Sequence, residues 1–341
     1  MTAPATAPAA PVRDANLPRS WMRSASGEVQ RDLALHELSA ALEAPDSTLW
    51  VDIDITNRHH LAIIEKVFRF HPLAIEDTLN PNSRVKLDEY EGYVFLIVRG
   101  VEFDASTPDP FDMTTFNLCC FLGRGYFVTT HASRIPAIEA FAERCTAAPE
   151  ILSRGAARAM YTVLDSAVDA YFPVLDQVND FIDGLEDRVF ETYDPDVLQD
   201  IFSVKRAVLA LRRHLTPERE VFNSLANRPT PLLTLEEQRY FRDVYDHVLR
   251  INETLEQYRD LLSSVLDASL TQISNRLGMV TKGLTVVATI SVPFVVVSGM
   301  WGMNFANIPL ANWPHGFWVM LVVQLGLCAG LLWYLRRSAW L

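Results

Sequence analysis

Hydrophobic and polar positions divide the chain into three regimes. In the first, Ser47–Ile55 (STLWVDIDI) alternates apolar and polar residues and ends at a Thr-Asn turn, the period-two pattern of a strand. Arg58–Phe70 (RHHLAIIEKVFRF) has the spacing of a helix, and His71–Asn80 reads as a second, short one. Val85–Glu102 holds two strands around Glu91-Gly92, and Thr114–Thr130 reads as a hairpin turning at Gly123-Arg124-Gly125. Strands mixed with helices predict an α/β unit over residues 26–132. Residues 1–25 are expected to be a flexible tail, because Pro and Ala stand where a signal peptide would carry an apolar core.

The second regime, residues 133–232, is helical. Arg134–Arg144 is one amphipathic piece. Ala156–Thr192 reads as a single long helix rich in acids (Asp165, Asp169, Asp176, Asp180, Asp183, Glu186, Asp187). Pro195–Leu225 carries a basic centre at Lys205, Arg206, Arg212 and Arg213, so the two are expected to pair antiparallel, acid against base. For most of these charges a solvated helix face is the simpler expectation. After the turn at Arg228-Pro229-Thr230-Pro231, Phe241, Val244, Val248, Ile251, Leu255, Tyr258, Leu262 and Val265 repeat at three and four residues, which is heptad spacing. The seam shifts at Leu266 and runs on through Leu270, Ile273, Leu277, Val280 and Leu284. Only Gly278 and Gly283 interrupt the path from this stalk (233–282) into the next regime. One helix of ~65 residues from about Leu235 would be ~100 Å long at ~1.5 Å per residue.

The third regime is apolar. Gly283–Asn304 (GLTVVATISVPFVVVSGMWGMN) has no charged residue, and about twenty such residues in helix cross the ~30 Å hydrocarbon core of a bilayer. A second span covers 317–336, and the link between them, 305–316, has no Lys, Arg, Asp or Glu. Arg276 and Lys282 precede the first span; Arg336 and Arg337 follow the second. The Lys/Arg excess marks the cytoplasmic flank. Both chain ends, including residues 337–341, are therefore expected inside, with the link outside, in an inner or plasma membrane. Two helices enclose no pore alone, so a conducting path needs several copies.

Composition narrows the classes. The 341 residues are 49% hydrophobic, with 42 acids against 30 bases and a formal net charge of -12, which argues against nucleic acid as a partner. Cys119, Cys120, Cys145 and Cys328 lack paired metal-ligand spacing and read as reduced. No phosphate loop, dinucleotide glycine pattern or HExxH stretch is present, so neither an enzyme nor an organic cofactor is expected. The eight histidines are scattered, and His59 and His60 read as surface residues.

Four stretches carry a resemblance, one of them LTVVATISVPF (Leu284–Phe294) in the first span. SGMWGMNF (Ser298–Phe305) places Gly302-Met303-Asn304 at the end of the first span, HPLAIEDTLNPNSRVKLDEYEGYVFLIVRG begins at His71, and YFRDVYDH runs Tyr240–His247. Together they resemble the CorA family of divalent-cation channels over nearly the whole ordered chain. The resemblance implies an α+β membrane protein. Its N-terminal αβα cytoplasmic domain leads to a long stalk and pore helix and two C-terminal transmembrane helices, assembled as a homopentamer in the bilayer. It implies a selectivity filter at Gly302, Met303 and Asn304, and a pore lined by Gly278, Thr281, Leu284, Ala288, Val292, Val295 and Gly299. It also implies intersubunit regulatory metal sites at Asp77 with Asp267 and at Asp165 with Asp243. Asn304 side-chain amides suit a hydrated Mg²⁺, which dehydrates reluctantly.

This sequence departs from the family at Gly278, where Asn is usual, and at Val295, where Thr is frequent. Its link reads Ile308-Pro309-Leu310-Ala311 without the family's acid. The Ile-Pro link is similar to the zinc-transporting ZntB branch. Mg²⁺ is thus the default substrate and regulator, with Zn²⁺, Co²⁺ or Ni²⁺ as alternatives. A reading from another class also stands: a membrane-anchored metal sensor that does not conduct.

Overall fold

The structure, a computed structural model, describes residues 16–103, 113–191, 194–304, 308–310 and 313–338. It divides into two compact units, Met1–Ser263 and Ser264–Leu341.

The first unit is built on a seven-stranded mixed sheet. Its strands are β1 (Arg19–Arg23), β2 (Val29–Arg31), β3 (Thr48–Asp54), β4 (Lys86–Tyr90), β5 (Tyr93–Phe103), β6 (Met113–Gly123) and β7 (Tyr126–His131), in the order β2-β1-β3-β7-β6-β5-β4. β3 and β7 pair in parallel; the other neighbours are antiparallel. Alternation along β3 sends its side chains to two cores. Leu49, Val51 and Ile53 join Phe95, Ile97 and Phe121 under residues of α1 (Leu35–Glu43), α2 (Arg58–Lys66) and α3 (Pro72–Leu79). Trp50 faces the other way, onto Phe141 of α4 (Pro136–Ala147), with ring centroids 4.6 Å apart. A short 3-10 helix (Pro149–Arg154) leads to α5 (Ala156–Asp169), α6 (Tyr171–Glu191) and α7 (Val197–Asn227), which cover this second face. The result is an αβα sandwich, as the fold class implies.

Four expectations are corrected. The stretch expected as a flexible tail contains β1: Trp21 is buried and stacks on Trp50 at 4.4 Å, and Arg19 pairs with Asp52. A five-residue strand is too short to show periodicity, so its anchoring is visible only in three dimensions. Residues 1–15 lie outside the described part. The long acidic helix is two helices, α5 and α6, separated at Ala170. Pro173 explains the break, since it lacks the N–H that would reach the Asp169 carbonyl and its ring crowds that carbonyl. Thr192 lies outside the described residues. The basic centre of α7 does not simply answer the acids of α6. Arg212 pairs with Glu256 at 2.9 Å, on the helix that follows. His60, read as a surface residue, is buried, and its Nδ1 accepts from the Asp54 N–H at 3.2 Å.

The last long helix, α8, runs Leu235–Trp301. A reciprocal cap starts it: the Thr234 N–H donates to Glu237 Oε2 at 2.7 Å, and the Glu237 N–H donates to Thr234 Oγ1 at 3.2 Å. Within the first unit its heptad residues Phe241, Val244, Val248, Ile251, Leu255 and Leu262 are fully buried. The second unit holds the remainder of α8 and α9 (Gly316–Arg337); both are long and apolar enough to cross a membrane. Gly278 and Gly283 do not break α8. In the link, Leu310 has a positive φ of 68°, and the backbone closes on Gly316, where an added Cβ would lie 2.1 Å from the Leu310 carbonyl oxygen. Glycine is required there by contact rather than by φ.

Candidate cation path and carboxylate sites

Along the C-terminal part of α8, from the end of the stalk through the span, Gly278, Thr281, Leu284, Ala288, Val292, Val295 and Gly299 are all exposed. At ~100° per residue they occupy about a third of the helix circumference. The residues that are half-covered or buried in this stretch, among them Val286, Ile290, Phe294, Val297 and Trp301, fall on the opposite side. There Gln324 of α9 donates to the Phe294 carbonyl at 3.4 Å and reaches Ser298 Oγ at 3.3 Å. The side of α8 away from α9 is therefore a continuous stripe without a charge, exposed among the described residues of this unit.

The stripe ends at Gly302-Met303-Asn304. The Gly302 N–H donates to the Ser298 carbonyl at 3.0 Å and the Met303 N–H to that of Met300 at 3.4 Å, so the backbone tightens as the helix closes. A Cβ on Gly302 would sit 3.4 Å from the Ser298 oxygen, a tolerable contact. Asn304 is exposed. Of the link, residues 308–310 and 313–316 are described; 305–307, 311 and 312 are not.

The four candidate regulatory acids stand in different settings. Asp77, near the end of α3, is half-buried. Lys86 Nζ lies 2.6 Å from its Oδ2 and 2.6 Å from Asp88 Oδ2, and Ser83 Oγ donates to Asp77 Oδ1 at 3.4 Å. Asp267 is exposed on α8, its carbonyl accepting from Thr271 Oγ1 at 2.8 Å. Asp243 is exposed on α8 and Asp165 half-buried on α5.

Around Asp165 the helices bring together more than was expected. One donor atom each from Asp165, Asp169 and His247 lies within 4.8 Å of the others. His247 Nδ1 is 3.2 Å from Asp169 Oδ1 and 4.0 Å from Asp165 Oδ1. Burial, then the charges of Asp169 and Asp243, push the Asp165 carboxyl above its ordinary value against the pull of His247. Among the described residues, Asp165 Oδ1 and His247 Nδ1 are buried and have no hydrogen-bond partner. Two carboxylates and an imidazole with open lone pairs fit a divalent ion, and the nitrogen donor favours Zn²⁺, Co²⁺ or Ni²⁺ over Mg²⁺. Sequence reasoning missed Asp169 and His247 as site residues. The signal was present as spacing: Asp165/Asp169 and Asp243/His247 are each four apart, hence on one face of a helix.

The chain is similar to known proteins over most of its length. Residues 45–337 match the family model described as CorA-like Mg2+ transporter protein. A putative metal ion transporter of Bacillus subtilis, YfjQ, is 32% identical over 301 residues, covering 88% of this chain and 92% of that protein. The cobalt/magnesium transport protein CorA of Thermotoga maritima is 31% identical over 315 residues, covering 91% and 89%. The complete structure of the CorA magnesium transporter from Methanocaldococcus jannaschii superposes with a TM-score of 0.80 at 22% identity, covering 94% of this chain and 98% of that one. With a family model spanning most of its length and relatives above 30% identity, the chain belongs to the CorA-like Mg2+ transporter family.

Proposed function

We propose that the protein is a homopentameric channel for divalent metal cations, with Mg²⁺ the default substrate and Zn²⁺, Co²⁺ or Ni²⁺ the alternatives. The observation that carries this reading is the charge-free stripe from Gly278 to Gly299, exposed on the side of α8 away from α9 and ending at Asn304. Copies of α8 turned stripe-inward would enclose a path, with α9 outside. Asn304 amide oxygens at its mouth would hold the water shell of the ion instead of stripping it. The polar groups available along the stripe are few, so an ion crosses hydrated. Both termini lie in the cytoplasm, as the Arg and Lys flanks favour.

Regulation falls to the acids. Cations bridging Asp77 with Asp267 of a neighbouring copy, and Asp165 with Asp243, hold the subunits together; losing them lets the carboxylates repel and shifts the balance toward the open state. Asp169 and His247 supplement the second pair and open it to softer ions.

The test is flux into proteoliposomes holding the purified protein, with Mg²⁺ and Zn²⁺ reporters in parallel and Asn304→Ala as control. Mg²⁺ flux lost in Asn304→Ala supports the reading. Zn²⁺ flux without Mg²⁺ flux moves the substrate to zinc. No divalent flux from a folded oligomer overturns conduction and leaves the membrane-anchored sensor.

A further inference from the structure

We propose that Lys86 is a tethered counter-ion that a divalent cation must displace from Asp77, so that this lysine sets the cation concentration at which the first regulatory site fills. The inference rests on the regulatory reading of Asp77 given above.

Both oxygens of Asp77 are already engaged from its own chain. Oδ2 holds the Lys86 ammonium at 2.6 Å, and Oδ1 accepts from Ser83 Oγ at 3.4 Å. A hard divalent ion needs carboxylate oxygen at ~2.0–2.6 Å. An ion that close to Oδ2 would stand within about 4–5 Å of the ammonium, where two like charges repel. Ion and ammonium therefore compete for one carboxylate.

The site is built for exchange. The side chains of Asp77 and Lys86 are each 31% exposed, so solvent ions reach them and the ammonium has room to move. Lys86 does not lose its only partner on leaving. Its Nζ also lies 2.6 Å from Asp88 Oδ2 and 5.7 Å from the centre of the Phe95 ring, and both remain as an anchorage. The lysine is thus shared between two aspartates when no ion is bound and passes to Asp88 when one arrives. The flexible stem and three rotatable donors of lysine suit this, where a planar guanidinium would be held more firmly.

The test is a Mg²⁺ titration of the full-length protein in detergent, read by resistance to limited proteolysis. Lys86→Met should lower the protecting midpoint about two- to fivefold, the equivalent of one partly exposed ion pair. Asp88→Asn should raise it, because the ammonium is then left to Asp77 alone. A midpoint unchanged or raised in Lys86→Met overturns the proposal. If Lys86→Met does not fold, Asp88→Asn decides: an unchanged or lowered midpoint overturns it. Asp77→Asn separates the two claims. A midpoint moved by Asp77→Asn but not by Lys86→Met rejects the lysine alone, and one moved by neither rejects the Asp77 site itself.

Discussion

Glu218 Oε1 accepts the backbone N–H of Arg99 at 2.7 Å, where a helix side chain takes the place of a strand. β4 stops opposite Ile97, so the Arg99 N–H projects past its end into a region covered by α7. Burial pushes the Glu218 carboxyl up from 4.5 to about 8, against the Arg99 hydrogen bond. A carboxyl raised in the folded state binds its proton more tightly there than in the unfolded chain. Its contribution to stability is therefore full below pH 4.5 and is lost between 4.5 and about 8. Glu218→Gln should keep the hydrogen bond and abolish this part of the pH dependence. Glu218→Ala should cost about 2–3 kcal/mol by orphaning a buried donor. Thermal melts of the detergent-solubilised protein across that range distinguish the two.

Asp52 gathers Arg19 Nε at 2.9 Å, Thr129 Oγ1 at 2.8 Å and His131 Nε2 at 3.2 Å. Burial alone would raise its carboxyl, but His131 and Arg19 hold it below the usual value, while Asp52 raises His131 against the effect of burial. The Asp52 contribution is present above its ordinary 3.8 and fades as pH falls further. The His131 contribution is present below 6.5 and fades as pH rises through its elevated value. Asp52→Ala should cost about 3–5 kcal/mol, as for a broken buried pair. His131→Gln should remove the His131 share of the alkaline loss, leaving that of Glu218, and should shrink the acid limb, which Arg19 alone then maintains, checked by melting temperature against pH.

Two glycines predict opposite outcomes. Gly316→Ala drives a Cβ to 2.1 Å from the Leu310 carbonyl oxygen, a backbone atom that cannot move aside cheaply. It should lower the melting temperature of the detergent-solubilised protein. Gly278→Ala meets nothing within 4 Å and lies inside α8. It should stabilise the protein by about 1 kcal/mol, the ordinary helix preference for alanine.

His247→Ala removes the only nitrogen from the Asp165–Asp169–His247 group. The Co²⁺ midpoint for protection from proteolysis should rise about tenfold, the loss of one good ligand, while the Mg²⁺ midpoint moves little because oxygen ligands remain. Equal shifts for both ions would show that the imidazole does not ligate.

Periodicity made the long elements legible. The alternation at Thr48–Asp54 and the heptads from Phe241 were readable because burial repeats along them. Gly302-Met303-Asn304 stands out through its resemblance to a family signature placed at the end of a charge-free run. Most of what escaped depends on partners distant in sequence, the proline break being the local exception. β1 is fixed by Trp50 and Asp52, about thirty residues away, and the α5–α6 break depends on a single proline in an otherwise helical pattern. The Lys86 contact with Asp77 joins a helix to a strand, and no local pattern announces it. His247 escaped because a lone histidine on a helix is usually unremarked until the neighbouring helix supplies its carboxylates.

The two sides of α8 that face α9 and turn away from it share no residue. A combinatorial library at the seven stripe positions therefore leaves the α8–α9 packing untouched within one chain. Changes to the chemistry of the stripe are thus separable, within each chain, from the contact that holds α9 against α8.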